Sequence, residues 1–292
     1  MNITHCDLFA GIGGFSLALE EVFNEAKIKH IFCEWEHFPS AVLKKHWPNG
    51  TFYGDIADLI ANTNSKRHKS SFTKSETERR FNLCNRVKSD ENETLTILTG
   101  GFPCQPFSHA GRRRGTADDR YQWPNMFQVI QNVKPDWVIA ENVRGLATWN
   151  DGMVLEQVCT DLESEDYEVQ PFIIPACAVN APHRRDRVWI IAHTEDKRNR
   201  AGFREIQGED GEVPKWNDNA QSCYPDWRRD WREVAAATCN ARMDDGFSRE
   251  VDGVSYSFAK WRNGSIKAYG NAIVPQVAME IFRAIKRTIN VN

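Results

Sequence analysis

Short apolar segments alternate with amphipathic segments along this chain, and that alternation constrains the fold more than any other feature. Ile3 to Ala10 is a short apolar segment that glycines follow, which predicts a strand. Residues 15–23 carry apolar side chains at helical spacing, and residues 30–33 predict a second strand. Alternating strands and helices form βαβ units, so the sequence predicts an α/β fold with a mostly parallel sheet and helices on both faces.

The same alternation returns later in the chain. The predicted elements are strands at 94–98 and 137–140 with a helix at 126–133 between them, a strand pair at 169–175 and 188–192, and a closing helix at 275–289. The closing helix is amphipathic, because Val277, Ile281, Ile285 and Ile289 share one face.

Two stretches depart from this pattern. Residues 61–93 are rich in Asn, Ser, Thr, Lys, Arg and Glu, which predicts a polar surface insertion. Residues 194–262 also change character, because they are polar and loop-rich with little periodicity.

Charge and composition exclude several classes of protein. The net charge of −3 excludes a globally basic nucleic-acid binder, although local basic patches remain compatible with it. No apolar run approaches the ~18 residues of a membrane span, and the first residues do not resemble a signal peptide. None of the eight cysteines forms a CxxC pair, so we expect no metal site and a reduced, cytoplasmic protein.

Glycines follow the first strand in the segment Asp7-Leu8-Phe9-Ala10-Gly11-Ile12-Gly13-Gly14. Glycine at a strand-to-helix turn lets the backbone approach a ligand closely. The dinucleotide fingerprint needs a glycine where this chain has Ser16, which argues against a bound pyrophosphate. Glu34, at the end of the second strand, can accept both hydroxyls of a ribose. The pattern favours a nucleoside cofactor such as S-adenosylmethionine over a plain tight turn and a surface glutamate.

A stiff loop that carries a cysteine follows the predicted strand at 94–98. Its sequence is Gly100-Gly101-Phe102-Pro103-Cys104-Gln105-Pro106-Phe107-Ser108, and the two prolines fix φ on both sides of Cys104. A lone cysteine is usually a small buried hydrophobe. A cysteine held in a stiff loop at the carboxyl end of a strand is a better candidate for a nucleophile.

Charged residues are predicted to converge on the same edge of the sheet. Glu141 follows the strand at 137–140, so it is a candidate general acid, although it could merely cap the next helix. Arg185 and Arg187 precede the last strand and would share one face of an extended chain, where they could clamp a phosphate or brace a carboxylate. The alternative is a solvated charge run. Arg112 begins a second basic cluster that could form a lid over a phosphate.

The motifs occur in the order typical of the C5-cytosine DNA methyltransferases, and the chain resembles the bacterial and phage members of that family. The matching segments are Asp7-Leu8-Phe9-Ala10-Gly11-Ile12-Gly13-Gly14-Phe15, Glu34-Trp35, Gly54-Asp55-Ile56, Gly101-Phe102-Pro103-Cys104-Gln105-Pro106-Phe107-Ser108, Glu141-Asn142-Val143, Arg185-Asp186-Arg187 and Gly270-Asn271-Ala272-Ile273. The resemblance covers about 1–193 and 263–292 and implies a Rossmann-like S-adenosylmethionine-dependent methyltransferase fold. Residues 194–262 lie where the family has its target-recognition domain.

The resemblance also implies which residues bind S-adenosylmethionine. They are Phe9, Gly11, Ile12, Gly13, Gly14, Glu34, Trp35, Asp55, Ile56, Pro103, Asn271 and Ala272. Phe9 and Trp35 would pack on the adenine, and Glu34 would bind the ribose hydroxyls. Asp55 would accept from the adenine amino group, and Asn271 would tie the C-terminal segment to the pocket.

For catalysis, the resemblance implies that Cys104 attacks C6 of a cytosine flipped out of double-stranded DNA. Glu141 would hydrogen-bond N3 and the exocyclic amine of the cytosine, and Arg187 would hold Glu141. Arg185 would brace the active-site loop or a phosphate. Further substrate contacts are expected from Gln105, Ser108, Arg112 and Asn142. We expect a monomer, with a cognate restriction endonuclease as a candidate partner.

Three other functions share some of these sequence features. A tRNA cytosine-5 methyltransferase shares the motifs, but the Cys-Phe-Thr signature of that group is absent from this chain. A catalytically silent DNA-binding module would not need Cys104, Glu141 and Arg187 together, and Ser16 argues against a dehydrogenase. His183 stands where the family usually has Gln. The candidates for sequence-reading contacts are Arg228, Arg229, Arg232, Arg242 and Arg249.

Overall fold

The computed structural model describes residues 1–63, 94–103, 121–194, 250–251, 254–255 and 257–289. The strands are β1 (Asn2–Leu8), β2 (Lys27–Cys33), β3 (Thr51–Tyr53), β4 (Thr94–Gly100), β5 (Trp137–Val143), β6 (Tyr167–Ile174), β7 (Arg187–Thr194), β8 (Glu250–Val251) and β9 (Val254–Ser255). The helices are α1 (Gly14–Val22), α2 (His37–His46), α3 (Ile56–Thr63), α4 (Trp123–Val133), α5 (Met153–Glu163), α6 (Phe258–Asn271) and α7 (Pro275–Ile289).

The first seven strands form one sheet in the order β3-β2-β1-β4-β5-β7-β6. The pairs from β3 to β5 are parallel, and β7 runs antiparallel to both of its neighbours. Because β1 lies between β2 and β4, the chain switches sides at β1. In open α/β sheets ligands bind beside the carboxyl ends of the strands at such a switch point. The mostly parallel, Rossmann-like α/β fold predicted from the sequence is confirmed.

Helices cover both faces of the sheet and pack on its apolar side chains. Successive strand residues point to opposite faces, so Leu98 packs on one face with apolar residues of α3, α4 and α5. Its neighbour Ile97 packs on the other face with α1 and α7. The predicted apolar face of α7 is confirmed: Val277, Ile281 and Ile285 are buried, and Ile289 packs partly buried against the same cluster. Burial of each such side chain contributes about 1.5–3 kcal/mol.

Several elements differ from the sequence prediction. β1 ends at Leu8 and not at Ala10, because Phe9 turns the backbone with a φ of 52°. The helices α3, α5 and α6 were not predicted. The first of them runs into the predicted insertion at 61–93, and α6 crosses the predicted boundary between residues 262 and 263.

The strand β5 extends further than predicted. It continues to Val143 because β7 pairs with it beyond the last residues that pair with β4. Glu141 therefore lies inside the strand, opposite Trp189, and does not follow it. In the part of the chain that the structure describes, no helix is long and apolar enough to cross a membrane.

Candidate active site

The turn after β1 has a left-handed backbone and is enclosed from two sides. Phe9 and Gly13 have φ values of 52° and 83°. Glycine is required at position 13, because a Cβ there would lie 2.5 Å from the ring of Trp47. A Cβ on Gly14 would lie 2.7 Å from Cγ1 of Ile273. The glycine turn is thus packed between the end of α2 and the segment that joins α6 to α7.

Glu34, just after β2, fastens this turn. Its Oε2 accepts a hydrogen bond from the N–H of Gly11 at 2.8 Å, and its Oε1 accepts one from the N–H of Glu36 at 2.7 Å. Burial raises the pKa of Glu34, and the two N–H donors oppose that rise. A carboxylate has about four acceptor positions, so two donors leave acceptor capacity for ribose hydroxyls. A Cβ on Gly11 would meet nothing within 4 Å, so open space borders the turn.

The other residues predicted to contact the cofactor surround the same edge of the sheet. Trp35 is 81% exposed. Asp55 is exposed, and its Oδ1 accepts the N–H of Ala57 at 2.9 Å at the start of α3. Ile56 is buried in the core below it, and Ile12 packs partly buried against α2. Aromatic, apolar and carboxylate groups thus follow β1, β2 and β3, which is a set that suits a nucleoside.

The segment around Asn271, predicted to tie the C-terminal part of the chain to the pocket, is held by Arg185 through the neighbours of Asn271. Asn271 is exposed at the end of α6. The Nη2 of Arg185 donates to the carbonyl oxygens of Gly270 at 3.0 Å and Ala272 at 2.7 Å. Arg185 has a φ of 35°, so the chain is not extended here, and the alternation argument that placed Arg185 and Arg187 on one face was wrong.

Glu141 is a buried carboxylate at the carboxyl end of the central strands. The Nε of Arg187 lies 2.9 Å from its Oε1, and the Nη1 of Arg187 donates to the carbonyl oxygen of Asp186 at 2.9 Å. Burial raises the pKa of Glu141, while the charges of Arg187 and Arg185 lower it. These opposed effects suit a carboxyl group that exchanges a proton or a strong hydrogen bond with a substrate.

Asn142 links Glu141 to the segment that leads into the cysteine loop. Its Nδ2 donates to the carbonyl oxygen of Phe102 at 3.1 Å, and its Oδ1 accepts the N–H of Val143 at 2.9 Å. Asn142 was predicted to contact the substrate, and its described hydrogen bonds go to backbone groups of the protein. Pro103 is the last described residue of the segment. Outside the described residues lie Cys104, Gln105, Ser108, Arg112, Arg228, Arg229, Arg232, Arg242 and Arg249.

Sequence reasoning missed a chain of polar side chains below the glycine turn. Thr99 Oγ1 lies 2.8 Å from Asp7 Oδ1 and 2.8 Å from His5 Nε2. His5 Nδ1 lies 3.1 Å from His30 Nδ1, and His30 Nε2 lies 3.1 Å from Glu20 Oε1. Burial raises the pKa of Asp7 to about 7. The signal in the sequence was a histidine within each of two predicted strands, His5 in the first and His30 in the second. Among the described residues, no group of His, Cys, Asp and Glu is arranged to hold a metal ion.

The sheet topology defines a Rossmann-like α/β protein that has its glycine turn and two buried carboxylates, Glu34 and Glu141, at the carboxyl ends of its strands. The model of the C-5 cytosine-specific DNA methylase family matches residues 3–245. The chain belongs to this family, which confirms the resemblance that the motifs indicated.

Individual relatives match a shorter part of the chain. The type II methyltransferase M.BsuFI of Bacillus subtilis is 26% identical over 197 residues, which are 67% of this chain and 40% of that protein. M.PspPI of Psychrobacter sp. is 32% identical over 65% of this chain and 39% of its own length. M.HhaI of Haemophilus parahaemolyticus is 27% identical over 65% of this chain and 49% of its own. The matched region therefore spans about 39–49% of these relatives.

Solved structures match with low sequence identity. A prophage-encoded protein of E. coli, described as a DNA modification methyltransferase, is 20% identical over 66% of this chain and 47% of its own, with a TM-score of 0.45. A variant of the Spodoptera frugiperda DNMT2 is 19% identical over 66% of this chain and 50% of its own, also with a TM-score of 0.45.

Proposed function

We propose that this chain is a DNA (cytosine-5) methyltransferase that modifies a cytosine flipped out of double-stranded DNA. The observation that carries the proposal is the buried Glu141–Arg187 pair, which Asn142 joins to the segment leading into Cys104. In a member of this family, that arrangement places a carboxyl group beside residues 101–103, the segment that Cys104 follows in the sequence.

The proposed cofactor is S-adenosylmethionine, which supplies an electrophilic methyl group when it is bound. The unused acceptor positions of Glu34 and the open space beside Gly11 support a nucleoside at this place. Phe9 and Trp35 would contact the adenine, and Asp55 would accept from its amino group. The rest of the pocket would come from Ile12, Gly13, Gly14, Ile56, Pro103, Asn271 and Ala272.

The chemistry of cytosine requires a nucleophile and an acid. C5 of cytosine is a weak nucleophile, so the Cys104 thiolate adds to C6 and turns the ring into an enamine. Glu141 stabilises the negative charge that develops at N3 by donating a proton or a strong hydrogen bond. C5 would then accept the methyl group that S-adenosylmethionine supplies, which leaves S-adenosylhomocysteine. Transfer of the C5 proton to water, return of the N3 proton to Glu141 and cleavage of the S–C6 bond would restore the aromatic ring and the thiolate.

Two arginines would keep this machinery in place. Arg187 orients Glu141 through the ion pair at 2.9 Å, and its charge limits the rise of the carboxyl pKa. Arg185 fixes the segment around Ala272, which lies next to the Ile273 that covers the glycine turn. Through these contacts the loop that precedes β7 would join the proposed base site to the proposed cofactor site.

The region at 194–262 would supply recognition of the target sequence, as the second domain of the protein. The target base must leave the helical stack, at a cost of a few kcal/mol, before Cys104 can reach it. Contacts between this region and the grooves and phosphates would offset that cost.

Bisulfite sequencing of DNA from a methylation-free bacterial host that expresses the chain tests the proposal directly. Protected cytosines in one short sequence context are the expected result. An absence of protected cytosines in a host with folded, cofactor-binding protein would contradict it, and labelled S-adenosylmethionine with RNA would then test an RNA substrate.

The cysteine mechanism has its own test. Cys104→Ala is expected to lose methyl transfer and to keep S-adenosylmethionine binding, because the cysteine acts on the base. DNA that contains 5-fluorocytosine should form a covalent adduct with the wild-type protein, since fluorine at C5 blocks the final elimination. An active Cys104→Ala protein, or no adduct with an active wild type, would refute addition at C6.

A further inference from the structure

Two exposed arginines converge on one enclosed carboxylate, between the turn after β5 and the loop before β7. The Nη1 of Arg144 donates to Oδ2 of Asp186 at 2.8 Å, and the Nε of Arg184 donates to Oδ1 at 2.9 Å. The side chain of Asp186 is 12% exposed, whereas those of Arg144 and Arg184 are 54% and 74% exposed. The carboxylate is therefore covered, and both guanidinium groups face solvent.

Strand pairing places this group beside the Glu141 pair. Val143, the last residue of β5, is opposite Arg187, the first residue of β7. Arg144 and Asp186 are the next residues beyond that pair, so they lie at the carboxyl end of β5. The carbonyl oxygen of Asp186 accepts a hydrogen bond from Arg187, which in turn holds Glu141. The exposed arginines thus border the proposed base site.

Stability alone does not account for this arrangement, because exposed ion pairs contribute only about 0–1 kcal/mol. The backbone at Arg184 is fixed, since its carbonyl oxygen accepts the N–H of Ala176 at 2.7 Å. The hydrogen bond from Arg184, and after it that from Arg144, lower the pKa of Asp186, so this carboxylate stays ionised and holds both partners at neutral pH. A guanidinium has five N–H donors, so each arginine keeps donors that point away from Asp186.

The local charge is positive although the chain as a whole carries −3. The group contains four arginines and two carboxylates: Arg144, Arg184, Arg185 and Arg187, and Glu141 and Asp186. Two of the arginines are directed inward, to the carbonyl oxygens of the C-terminal segment and to Glu141. The charge that faces solvent comes from Arg144 and Arg184.

We propose that Arg144 and Arg184, oriented by Asp186, form a clamp that binds a backbone phosphate of the DNA strand that carries the target cytosine. Guanidinium donors in a fixed orientation match the oxygens of a phosphodiester. The inference rests on the proposed function, because it takes DNA as the substrate. It assigns phosphate binding to this exposed pair, and not to the Arg185 and Arg187 pair that the sequence suggested.

The test compares the salt dependence of DNA binding in two double variants. Fluorescence anisotropy with a labelled duplex, in the presence of S-adenosylhomocysteine, gives the dissociation constant from about 50 to 200 mM salt. The clamp variant is Arg144→Gln with Arg184→Gln. The control, Arg283→Gln with Arg287→Gln, removes the same charge from α7. Lys286, the residue before Arg287, donates a hydrogen bond to the carbonyl oxygen of Val22 at the end of α1. The two arginines of the control therefore lie at the edge of the sheet opposite to the clamp.

The clamp variant is expected to bind DNA roughly tenfold more weakly, with a slope of log K against log salt that is smaller by about 0.9, because one phosphate contact is lost. The control should keep the wild-type slope. In steady-state methylation the clamp variant should raise KM for DNA far more than it lowers kcat, because a phosphate contact binds ground state and transition state alike.

Three outcomes would overturn the clamp: equal slopes in the clamp variant and the wild type, equal losses in both double variants, or tighter binding of an RNA hairpin than of duplex DNA. The bisulfite experiment reports on the proposed function separately. A wild type that methylates DNA while the clamp variant keeps the wild-type slope would leave the function standing and remove the clamp.

Discussion

The series of buried polar side chains below the glycine turn needs one more proton than ionised carboxylates and neutral histidine rings supply. Four contacts of 2.8–3.1 Å join Asp7, Thr99, His5, His30 and Glu20 in series, and each contact needs one proton between its two atoms. With both carboxylates ionised and both rings neutral, the histidines and the threonine supply only three. The fourth must be an additional proton.

Asp7 is the expected holder of that proton. Burial raises its pKa to about 7, whereas burial lowers the pKa of His5 and of His30. The Thr99 hydroxyl donates to Asp7 when that carboxylate is ionised. When Asp7 is protonated this bond reverses: Asp7 donates to Thr99, Thr99 donates to His5, and the series continues through His30 to Glu20. In Asp7→Asn the side-chain amide can donate to Thr99 in the same way, so the variant reproduces the protonated state at every pH.

The sign of the pH effect follows from the raised pKa. The contribution of Asp7 to the free energy of unfolding is fully present below its unfolded pKa of about 3.8 and is lost as the pH rises to about 7. Each pH unit in that window corresponds to about 1.4 kcal/mol. From about pH 5.5 to 7 the wild type should therefore lose about 2 kcal/mol relative to Asp7→Asn, and the difference should level off above that range.

Urea unfolding followed by tryptophan fluorescence, at half-unit steps from about pH 5.5 to 8, measures this difference. The subtraction removes the effect of both histidines, which are present in the two proteins. Asp151→Asn, a substitution of an exposed carboxylate, is the control. A difference between the wild type and Asp7→Asn that stays constant over this pH range would show that Asp7 is ionised throughout, and the proton count would be refuted.

Three further predictions concern the site. Glu34→Gln should weaken S-adenosylmethionine binding at least roughly tenfold in calorimetry, because an amide NH₂ would face one of the two backbone N–H donors that the carboxylate accepts; unchanged affinity would exclude a role for this carboxylate. Glu141→Gln should lower the rate of methyl transfer by roughly 10²–10⁴ and leave cofactor affinity within about twofold, and a rate near that of the wild type would rule out its role as the acid. Gly13→Ala should destabilise the protein by about 2 kcal/mol or more in urea unfolding, because it combines a positive φ with a contact to Trp47; Gly54→Ala, where a Cβ meets nothing within 4 Å, should cost far less.

Local sequence was sufficient for features that depend on short-range physics. The helix at 275–289 was predicted with the bounds that the structure gives it, because a proline start and four apolar residues at helical spacing specify it locally. The strand before the glycine turn and the position of Glu34 after β2 follow from the same kind of pattern. The helices α3, α5 and α6 were not predicted, since polar residues between their apolar residues obscure the helical spacing.

Contacts between distant residues were out of reach of such reasoning. Alternation along an extended chain suggested a common face for Arg185 and Arg187, but the positive φ of Arg185 turns it toward Ala272. The ion pair of Arg144 with Asp186 joins residues just beyond the paired ends of two antiparallel strands, whose register no local pattern specifies.

By itself, the sequence determined the alternation of strands and helices, the glycine turn and the order of the motifs, because each depends on neighbours along the chain. Only the tertiary structure decided which charges face inward and which face solvent. It buried Asp7, His5 and His30 in one series and paired Glu141 with Arg187. The physical reason is that burial and the pairing of charges depend on which elements meet in space, and these contacts form only when the strands and helices pack together.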